Sequence, residues 1–343
     1  MKQIIKIFLF ISLITLNGCI KDENSPVINY ELDKTTKILH YFESQGDFAN
    51  SELAPGLISA NQLFSSQSEY IIIDIRSADE FINGHIQNSI NIPIDKLYET
   101  VDSLYSINRS KKIVIVSKNG QSSAYFVCLL RLAGFENTFS LKYGMAYWNI
   151  NFAEDWLQYL KDEEDINNTN ENYPMLPLSP LPQINFPSSL QTDKELAVFR
   201  IKQIIKQGFI SGVNFEIQYD FLLNPNYIKI CYGQERLYIM PPLQEGRGHA
   251  VGTIWYRDIP TFDFRSIKNL QTLPADSKII IYSADGHLSA CMSAYLTVLG
   301  YNVKTLLFGA NQLFYTRMRS DPQLSDDTLK PEERNNYPYV NGN

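Results

Sequence analysis

The feature that most restricts the fold of this chain is a set of short sequence elements that occurs twice in the same order. Each copy has an Asp-Lys pair that opens a helical stretch, an apolar strand, a Gly-His pair and a second apolar strand. They are Asp33-Lys34, Tyr70–Ile73, Gly84-His85 and Lys112–Ser117 in the first half, and Asp193-Lys194, Tyr227–Ile230, Gly248-His249 and Lys278–Ser283 in the second. Such a repetition predicts an internal duplication.

Within each copy, short apolar strands alternate with amphipathic helical stretches. Continuously apolar strands are typical of a parallel sheet that is covered on both faces by helices. One helix start is easy to recognise, because Ser77 and Glu80 have the spacing of a capping box, in which each side chain satisfies the other residue's backbone amide. The sequence therefore predicts an α/β fold.

A segment of unusual composition, residues 159–191, separates the two copies. It begins acidic and rich in asparagine and continues with five prolines, which block helices and central strands. We predict that it is a linker between a first domain at 30–158 and a second domain at 192–318, with a polar tail at 319–343.

The first residues have the pattern of a secretory signal. Lys2 and Lys6 form a basic start, and the apolar run Ile7–Leu16 follows. This run is too short for a transmembrane helix, because spanning a bilayer takes roughly 20 apolar residues. We therefore expect a signal peptide at 1–18.

The end of this signal indicates a lipid anchor. Leu16-Asn17-Gly18-Cys19 resembles the lipobox of bacterial lipoproteins, which implies that Cys19 is lipidated, binds the membrane and begins a tether at 19–29. An ordinary cleaved signal is the alternative. The next residues, Ile20–Glu23, are similar to an export tag for the cell surface or are simply a solvated tether. We expect an outer-membrane lipoprotein of the cell envelope, on the periplasmic or the surface face.

Charge and cysteine content exclude several classes of function. The net charge is -7 and the pI about 5.2, and no cluster of lysine and arginine stands out, so nucleic acid is not an expected partner. After Cys19 only Cys128, Cys231 and Cys291 remain, and their neighbours are typical of buried apolar positions rather than of a disulfide framework. The four histidines are scattered, so we expect no metal site and no cofactor.

The first copy resembles a known family. Asp74-Ile75-Arg76, Glu80-Phe81, Gly84-His85-Ile86 and Asn91-Ile92-Pro93 are similar to the first signature of the rhodanese family. The resemblance implies two rhodanese-like domains, each with a parallel sheet of about five strands flanked by helices. The second copy departs further, since Cys231 and Gly233 stand where the first has Asp74 and Arg76.

The charged residues of this signature are predicted to serve the structure. We expect Asp74 and Arg76 to form a carboxylate–guanidinium pair at a strand end, Glu80 to cap a helix, and His85 to be held by hydrogen bonds. Direct chemistry at these side chains is the alternative.

The active loop of the family reads C-x-x-G-x-R-S and lies between a strand and a helix start. The resemblance implies a nest of backbone amides that lowers the pKa of the cysteine, so that its thiolate attacks sulfane sulfur and becomes a persulfide. Serine replaces the cysteine in both copies of this chain. The first loop is Ser117-Lys118-Asn119-Gly120-Gln121-Ser122-Ser123, and the degenerate second loop is Ser283-Ala284-Asp285-Gly286-His287-Leu288-Ser289.

A serine in this position cannot replace the thiol. A hydroxyl is not ionised near neutral pH, and a serine nucleophile needs an oriented general base, for which His287 is the nearest candidate. Cys291 and Cys128 are alternative thiols, but their neighbours favour packed helices. The first loop could still bind a small anion through its amides, its hydroxyls and Lys118, or both loops could be ordinary turns.

Three functions remain open from the sequence. The first is a non-catalytic module that binds a protein partner in the envelope, with the linker allowing both domains to engage one partner. The second is an enzyme, either a sulfurtransferase that uses a non-standard thiol or a hydrolase built on Ser117. The third is an anion-binding or redox-associated module of an envelope complex.

Overall fold

The computed structural model describes residues 33–45, 55–162, 168–209, 212–213, 224–239, 248–257, 263–265 and 267–342. The predicted signal peptide, Cys19 and the tether lie outside the described residues. None of the described helices is long and apolar enough to cross a membrane.

Five parallel strands form the first sheet. They are β1 (Leu57–Ile58), β2 (Tyr70–Asp74), β3 (Ile90–Asn91), β4 (Lys112–Val116) and β5 (Thr138–Leu141). Their order in space is β1-β5-β4-β2-β3, so that β4 lies at the centre. All residues of β4 after Lys112 are buried, as expected for a strand with helices on both faces.

Helices precede, connect and follow these strands. Neighbouring parallel strands need such crossover connections, because the chain must return to the same edge of the sheet. They are α1 (Lys34–Ser44), α2 (Ala60–Ser65), α3 (Ala78–Asn83), α4 (Ile94–Ile107), α5 (Gln121–Leu132), α6 (Met145–Trp148) and α7 (Glu154–Gln158). The capping box predicted at the start of α3 is confirmed: the Glu80 amide donates to the Ser77 hydroxyl at 3.3 Å, and the Ser77 amide donates to the Glu80 carboxylate at 3.1 Å.

The second half contains a second parallel sheet with the same strand order. The further strands are β6 (Asn168–Thr169), β7 (Gly212–Val213), β8 (Tyr227–Tyr232), β9 (His249–Ala250), β10 (Thr253–Tyr256), β11 (Lys278–Tyr282) and β12 (Asn302–Leu306). Five of them form the sheet β7-β12-β11-β8-β10. Numbered along the chain within each half, both sheets therefore have the spatial order 1-5-4-2-3, and the predicted α/β fold with two five-stranded parallel sheets is confirmed.

Helices also flank the second sheet. They are α8 (Asp193–Gln207), α9 (Glu235–Tyr238), α10 (Ile267–Gln271), α11 (His287–Val298) and α12 (Tyr315–Ser320), with short 3-10 turns at Gln67–Glu69, Ile150–Phe152, Gly309–Gln312, Ser325–Asp327 and Pro331–Glu333. The longest of these helices, α8, also begins with a capping box, which is formed by Thr192 and Glu195.

The two halves share one hydrophobic core. Helices α5 and α11, each of which follows the central strand of its sheet, contact one another, and the Cys128 thiol donates to the Cys291 carbonyl at 3.1 Å. A single cluster of buried side chains runs from Ile38 in the first half to Val303 in the second. The two halves therefore pack against one another through apolar side chains.

An extended segment covers each Gly-His pair. The segment that covers the pair of one half comes from the part of the chain that follows the sheet of the other half. Strand β6 pairs antiparallel with β9, which places Thr169 opposite His249. Near the end of the chain, Val340 forms an antiparallel bridge with His85. The predicted linker is also packed where the structure describes it, since the Ser179 amide donates to the Gln271 carbonyl at 2.7 Å. The exact domain boundaries remain predictions.

Candidate functional site

The two candidate loops lie at the carboxyl ends of the central strands. Residues 117–123 follow β4 and include the first residues of α5, and residues 283–289 follow β11 and include the first residues of α11. Each loop turns into its helix through a left-handed glycine, Gly120 with φ 85° and Gly286 with φ 86°. Glycine adopts this conformation without the steric cost that a side chain brings, which explains its place in both loops.

In the first loop, Ser117 is buried and fully hydrogen-bonded. The Ser117 hydroxyl accepts from the amides of Gly120 at 3.1 Å and Ser123 at 3.3 Å, and it donates to the Ser123 hydroxyl at 2.9 Å. Ser117 is 2% exposed. The Ser123 hydroxyl lies 2.7 Å from that of Ser140, so the network continues into β5.

The second loop repeats part of this arrangement. The Ser283 hydroxyl accepts from the Ser289 amide at 3.1 Å, and the Ser289 hydroxyl lies 2.6 Å from that of Thr305. Ser283 is 3% exposed. Neither serine has a histidine as its hydrogen-bond partner among the described residues, and each hydroxyl serves to hold its loop against its helix.

The third residue of each loop caps the helix that follows. The Asn119 side chain accepts from the Gln121 amide at 3.1 Å, and the Asp285 carboxylate accepts from the His287 amide at 3.0 Å. These amides belong to the helix N-terminus, where an anion would otherwise bind. The protein therefore supplies its own acceptors to the amides that the anion hypothesis needs.

Lys118, the cation of the first loop, is directed away from it. Its ammonium group lies 2.9 Å from the Asp155 carboxylate of α7, and this contact raises the pKa of Lys118 despite the opposing effect of burial. Ser122 is only partly exposed. The loop thus holds no free positive charge that points towards Ser117.

The fifth residue of each loop reaches into the other half of the molecule. The Gln121 side chain accepts from the Phe308 amide at 2.6 Å and donates to the Leu306 carbonyl at 3.3 Å. In the reverse direction, Nε2 of His287 accepts from the Tyr143 amide at 3.1 Å. Tyr143 follows β5 and Phe308 follows β12, and both have φ of 61°. The contacts are therefore equivalent in the two halves.

These side chains lie directly over the glycines of the opposite loops. A Cβ atom on Gly120 would lie 2.4 Å from Nε2 of His287, and one on Gly286 would lie 2.0 Å from Nε2 of Gln121. Only glycine fits beneath each of them. Both side chains are buried, Gln121 at 0% and His287 at 1% exposure.

A buried group of charges surrounds His287. Its Nδ1 lies 3.0 Å from the Asp285 carboxylate, and its Nε2 accepts from the Tyr143 amide. The Lys142 ammonium lies 3.8 Å from Asp285 and 3.5 Å from Asp327. Burial alone would raise the pKa of Asp285, but His287 and then Lys142 outweigh it and hold that pKa well below its usual range. Burial, followed by the charge of Asp285, raises the pKa of Asp327.

Aromatic side chains close the space beside the loops. Trp156 of α7 packs at 5.3 Å from the Tyr143 ring and at 4.6 Å from the Phe308 ring, and its indole N–H donates to the Asn119 carbonyl at 3.2 Å. Tyr159 stacks on Phe308 at 4.9 Å. The first half, the second half and the start of the predicted linker thus meet in one apolar cluster.

The three described cysteines form no disulfide bond and are buried, which confirms the prediction of packed positions. Cys128 and Cys291 belong to the core that the two halves share, and Cys231 belongs to a separate cluster in the second half. Burial, with a further contribution from Cys291, raises the pKa of the Cys128 thiol well above its usual value. A raised pKa disfavours the reactive thiolate.

The residues of the family signature form a buried network in the first half. The Arg76 guanidinium lies 2.6 Å from the Asp74 carboxylate and donates to the Gly84 carbonyl at 2.7 Å. Nδ1 of His85 lies 2.8 Å from the Phe81 carbonyl, and the two rings stack at 3.7 Å. Each of these side chains bonds to the protein itself, as a structural role requires.

The second half replaces this network in a way that sequence reasoning missed. Gly233 stands at the position of Arg76, but Arg317 of α12 donates to the Gly248 carbonyl, the counterpart of the Gly84 carbonyl. Nδ1 of His249 lies 2.7 Å from the Tyr238 carbonyl. The cation comes from a helix far along the chain, so no local motif would have identified it.

Among the described residues there is no group of three or more histidine, cysteine, aspartate or glutamate side chains that could hold a metal ion.

Comparison with known proteins identifies the class of the first half. Residues 59–151 match the family model of the rhodanese-like domain, and this range extends from the start of α2 through α6. The chain therefore contains a rhodanese-like domain.

Individual relatives each match about a quarter of the chain. The uncharacterized protein YibN of Escherichia coli (strain K12) is 31% identical over 84 residues, which are 24% of this chain and 58% of YibN. The thiosulfate sulfurtransferase GlpE of Shewanella oneidensis is 29% identical over 94 residues, which are 27% of this chain and 90% of GlpE. The crystal structure of a rhodanese-related protein from Thermoplasma volcanium has 29% identity and a TM-score of 0.24, over 27% of this chain and 89% of that one.

Proposed function

We propose that this chain is a tandem rhodanese-like lipoprotein of the cell envelope that binds a protein partner and does not transfer sulfur. The observation that carries the proposal is a buried serine at both positions where the family has its nucleophilic cysteine. Sulfur transfer requires a thiolate that a small substrate can reach. Ser117 and Ser283 carry hydroxyl groups instead, and these hydroxyls form hydrogen bonds with other residues of their own loops.

Two observations support the tandem arrangement. Both sheets have the same strand order, and both loops have equivalent internal and reciprocal contacts. The repetition also extends past each sheet, because Asn172-Tyr173-Pro174 in the first half corresponds to Asn336-Tyr337-Pro338 near the end of the second.

Protein binding is favoured over anion binding by the contacts of the first loop. Its Gly120 and Gln121 amides donate to the side chains of Ser117 and Asn119, and Lys118 is paired with Asp155. A groove on the outer surface of the first half is better suited to a protein partner than the loop is to an anion. Ile82, Ile90 and Val340 are each more than a third exposed and border a groove of about 650 Å³ beside α3 and β3. Exposed apolar residues that cluster in this way are typical of protein interfaces.

The test is capture of a partner from envelope extracts with the full chain and with two matched variants. Ile90→Asp places a charge in the groove, and Ile107→Asp places the same charge on an isoleucine of α4 that is 82% exposed and does not line the groove. We expect one protein to be retained in a stoichiometric amount by the native chain and by the Ile107 variant and to be lost with the Ile90 variant. The absence of any reproducible partner would count against the proposal.

The lipid anchor makes a separate prediction. Cys19→Ser removes the atom that would carry the lipid, so we expect the chain to move from the membrane fraction to the soluble fraction and to lose incorporation of a labelled fatty acid. The matched control is Cys231→Ser, which keeps Cys19 and should stay with the membrane. Retention of the Cys19 variant in the membrane fraction would contradict the lipoprotein proposal.

The alternative function is sulfur transfer through a non-standard thiol. Cys291 is the candidate nearest to a loop, four residues after His287 on α11, but it is buried in the core shared by both halves. If Cys291→Ala abolished a sulfur-transfer activity of the native chain while Cys128→Ala and Cys231→Ala did not, this alternative would replace the proposal.

A further inference from the structure

The two loops block one another, although they belong to different sheets. His287 of the second loop lies over Gly120 of the first, and Gln121 of the first loop lies over Gly286 of the second. The contacts are specific hydrogen bonds rather than simple packing, because each side chain accepts from a backbone amide of the opposite half. These two residues occupy the same position in their loops.

We propose that Gln121 and His287 are reciprocal plugs, so that access to each loop is controlled by the fifth residue of the other loop. This inference does not depend on the proposed partner. It gives a role to the fifth loop residue, a position at which the family pattern specifies no residue type. It also accounts for the low exposure of Ser117 and Ser283, each of which lies in a loop covered from the opposite half.

The chemistry of the two plugs differs, but the geometry that they fill is the same. Gln121 uses both ends of its amide, since it accepts from Phe308 and donates to Leu306. His287 accepts at Nε2, and its Nδ1 lies 3.0 Å from the Asp285 carboxylate, which in turn lies 3.8 Å from the Lys142 ammonium of the first half. Tyr143 packs on the His287 ring at 5.1 Å, and Asp327 is the remaining charged group of this cluster. The histidine is therefore oriented from both halves.

The arrangement predicts a crossed pattern of accessibility. Truncation of His287 in the second loop should expose the first loop, and truncation of Gln121 in the first loop should expose the second. A general loss of stability should instead expose both loops. A thiol placed at the base of each loop reports this directly, because alkylation requires contact with the reagent. With iodoacetamide, the thiolate sulfur forms a bond to the methylene carbon and iodide leaves.

The experiment measures alkylation rates in the full chain, with each site identified by peptide mass spectrometry. The thiol of Ser117→Cys should react slowly in the otherwise native chain and about tenfold faster when His287→Ala is added, but not when Gln121→Ala is added. The thiol of Ser283→Cys should respond to Gln121→Ala and not to His287→Ala. Cys231, which is buried in its own cluster in the second half, is the internal control for global unfolding.

Other patterns would overturn the inference. Equal acceleration at both loops by either alanine variant, or acceleration of each loop by its own fifth residue alone, would show that the plugs do not act across the interface. If an alanine variant fails to fold, Gln121→Asn and His287→Asn provide shorter side chains that keep a polar group, and the same crossed pattern is expected of them. Unchanged rates in these folded variants would also overturn it.

Discussion

The variant Arg76→Met is expected to lose about 4 kcal/mol of its free energy of unfolding, because it leaves a buried carboxylate without its counter-charge. Asp74 is fully buried, and Arg76 lies 2.6 Å from it at the end of β2. The same guanidinium also donates to the Gly84 carbonyl, so that its removal leaves a second acceptor unsatisfied. Denaturant unfolding of the native and variant chains measures the loss.

The control for this prediction removes both charges. When Asp74→Asn accompanies Arg76→Met, no unpaired charge stays buried, and we expect a smaller loss than with the single change. The second half illustrates the same rule, since Cys231 and Gly233 replace both members of the pair and Arg317 supplies the bond to Gly248. A double variant that is no more stable than the single one would contradict the assignment of a structural ion pair.

The variant Gly120→Ala is expected to lose about 3 kcal/mol, which combines backbone strain with a steric clash. Gly120 has φ of 85°, and an added Cβ would meet Nε2 of His287 at 2.4 Å and the Tyr143 amide nitrogen at 2.7 Å. The histidine would have to leave its place over the loop, and the hydrogen bond to Tyr143 would break. Stability and the alkylation rate of the Ser117→Cys thiol should therefore change together.

Gly134 provides a matched control for this prediction in the same half. It has φ of 101°, but an added Cβ would meet nothing within 4 Å. We expect Gly134→Ala to show only the backbone strain, about 1 kcal/mol, and no change in the exposure of either loop. Equal losses for the two variants would mean that the close approach of His287 to Gly120 does not contribute to stability.

Those parts of the fold that depend on residues close together in the chain could be predicted from the sequence. The largely apolar segment Lys112–Val116 and the glycine three residues after Ser117 define a strand, a turn and a helix start. These features do not depend on residues elsewhere in the chain. The capping box of Ser77 and Glu80 is a contact between residues three apart. Such features require only the spacing of residues along the chain, and the repeated order of elements then extended the prediction to both sheets.

The contacts between the two loops could not be predicted, because they join residues that are distant in the chain. His287 was recognised as a candidate base within its own loop, but its partner Tyr143 lies in the other half. Gln121 was included only as a member of a loop that could bind an anion, and its acceptor role towards Phe308 depends on how the sheets pack. No pattern in either copy alone specifies that packing.

The segments outside the repeats were also more ordered than composition suggests. Proline density predicted a spacer at 159–191, yet Leu181 is buried and Tyr173 bridges to Ile254 at the edge of the second sheet. Proline excludes helices and central strands, but it does not prevent an extended segment from packing along a surface. The repeated Asn-Tyr-Pro sequence was the available signal that both trailing segments have a defined role.

Thiosulfate-to-cyanide sulfur transfer by the full native chain is the measurement that tests the central claim most directly. The account predicts no thiocyanate above the level of a heat-denatured sample, because both loops carry buried hydroxyls and the described thiols lie in packed cores. Ser117→Cys alone should remain inactive, since His287 still covers its loop. Catalytic turnover by the native chain, abolished by replacing one of its own cysteines, would contradict the account.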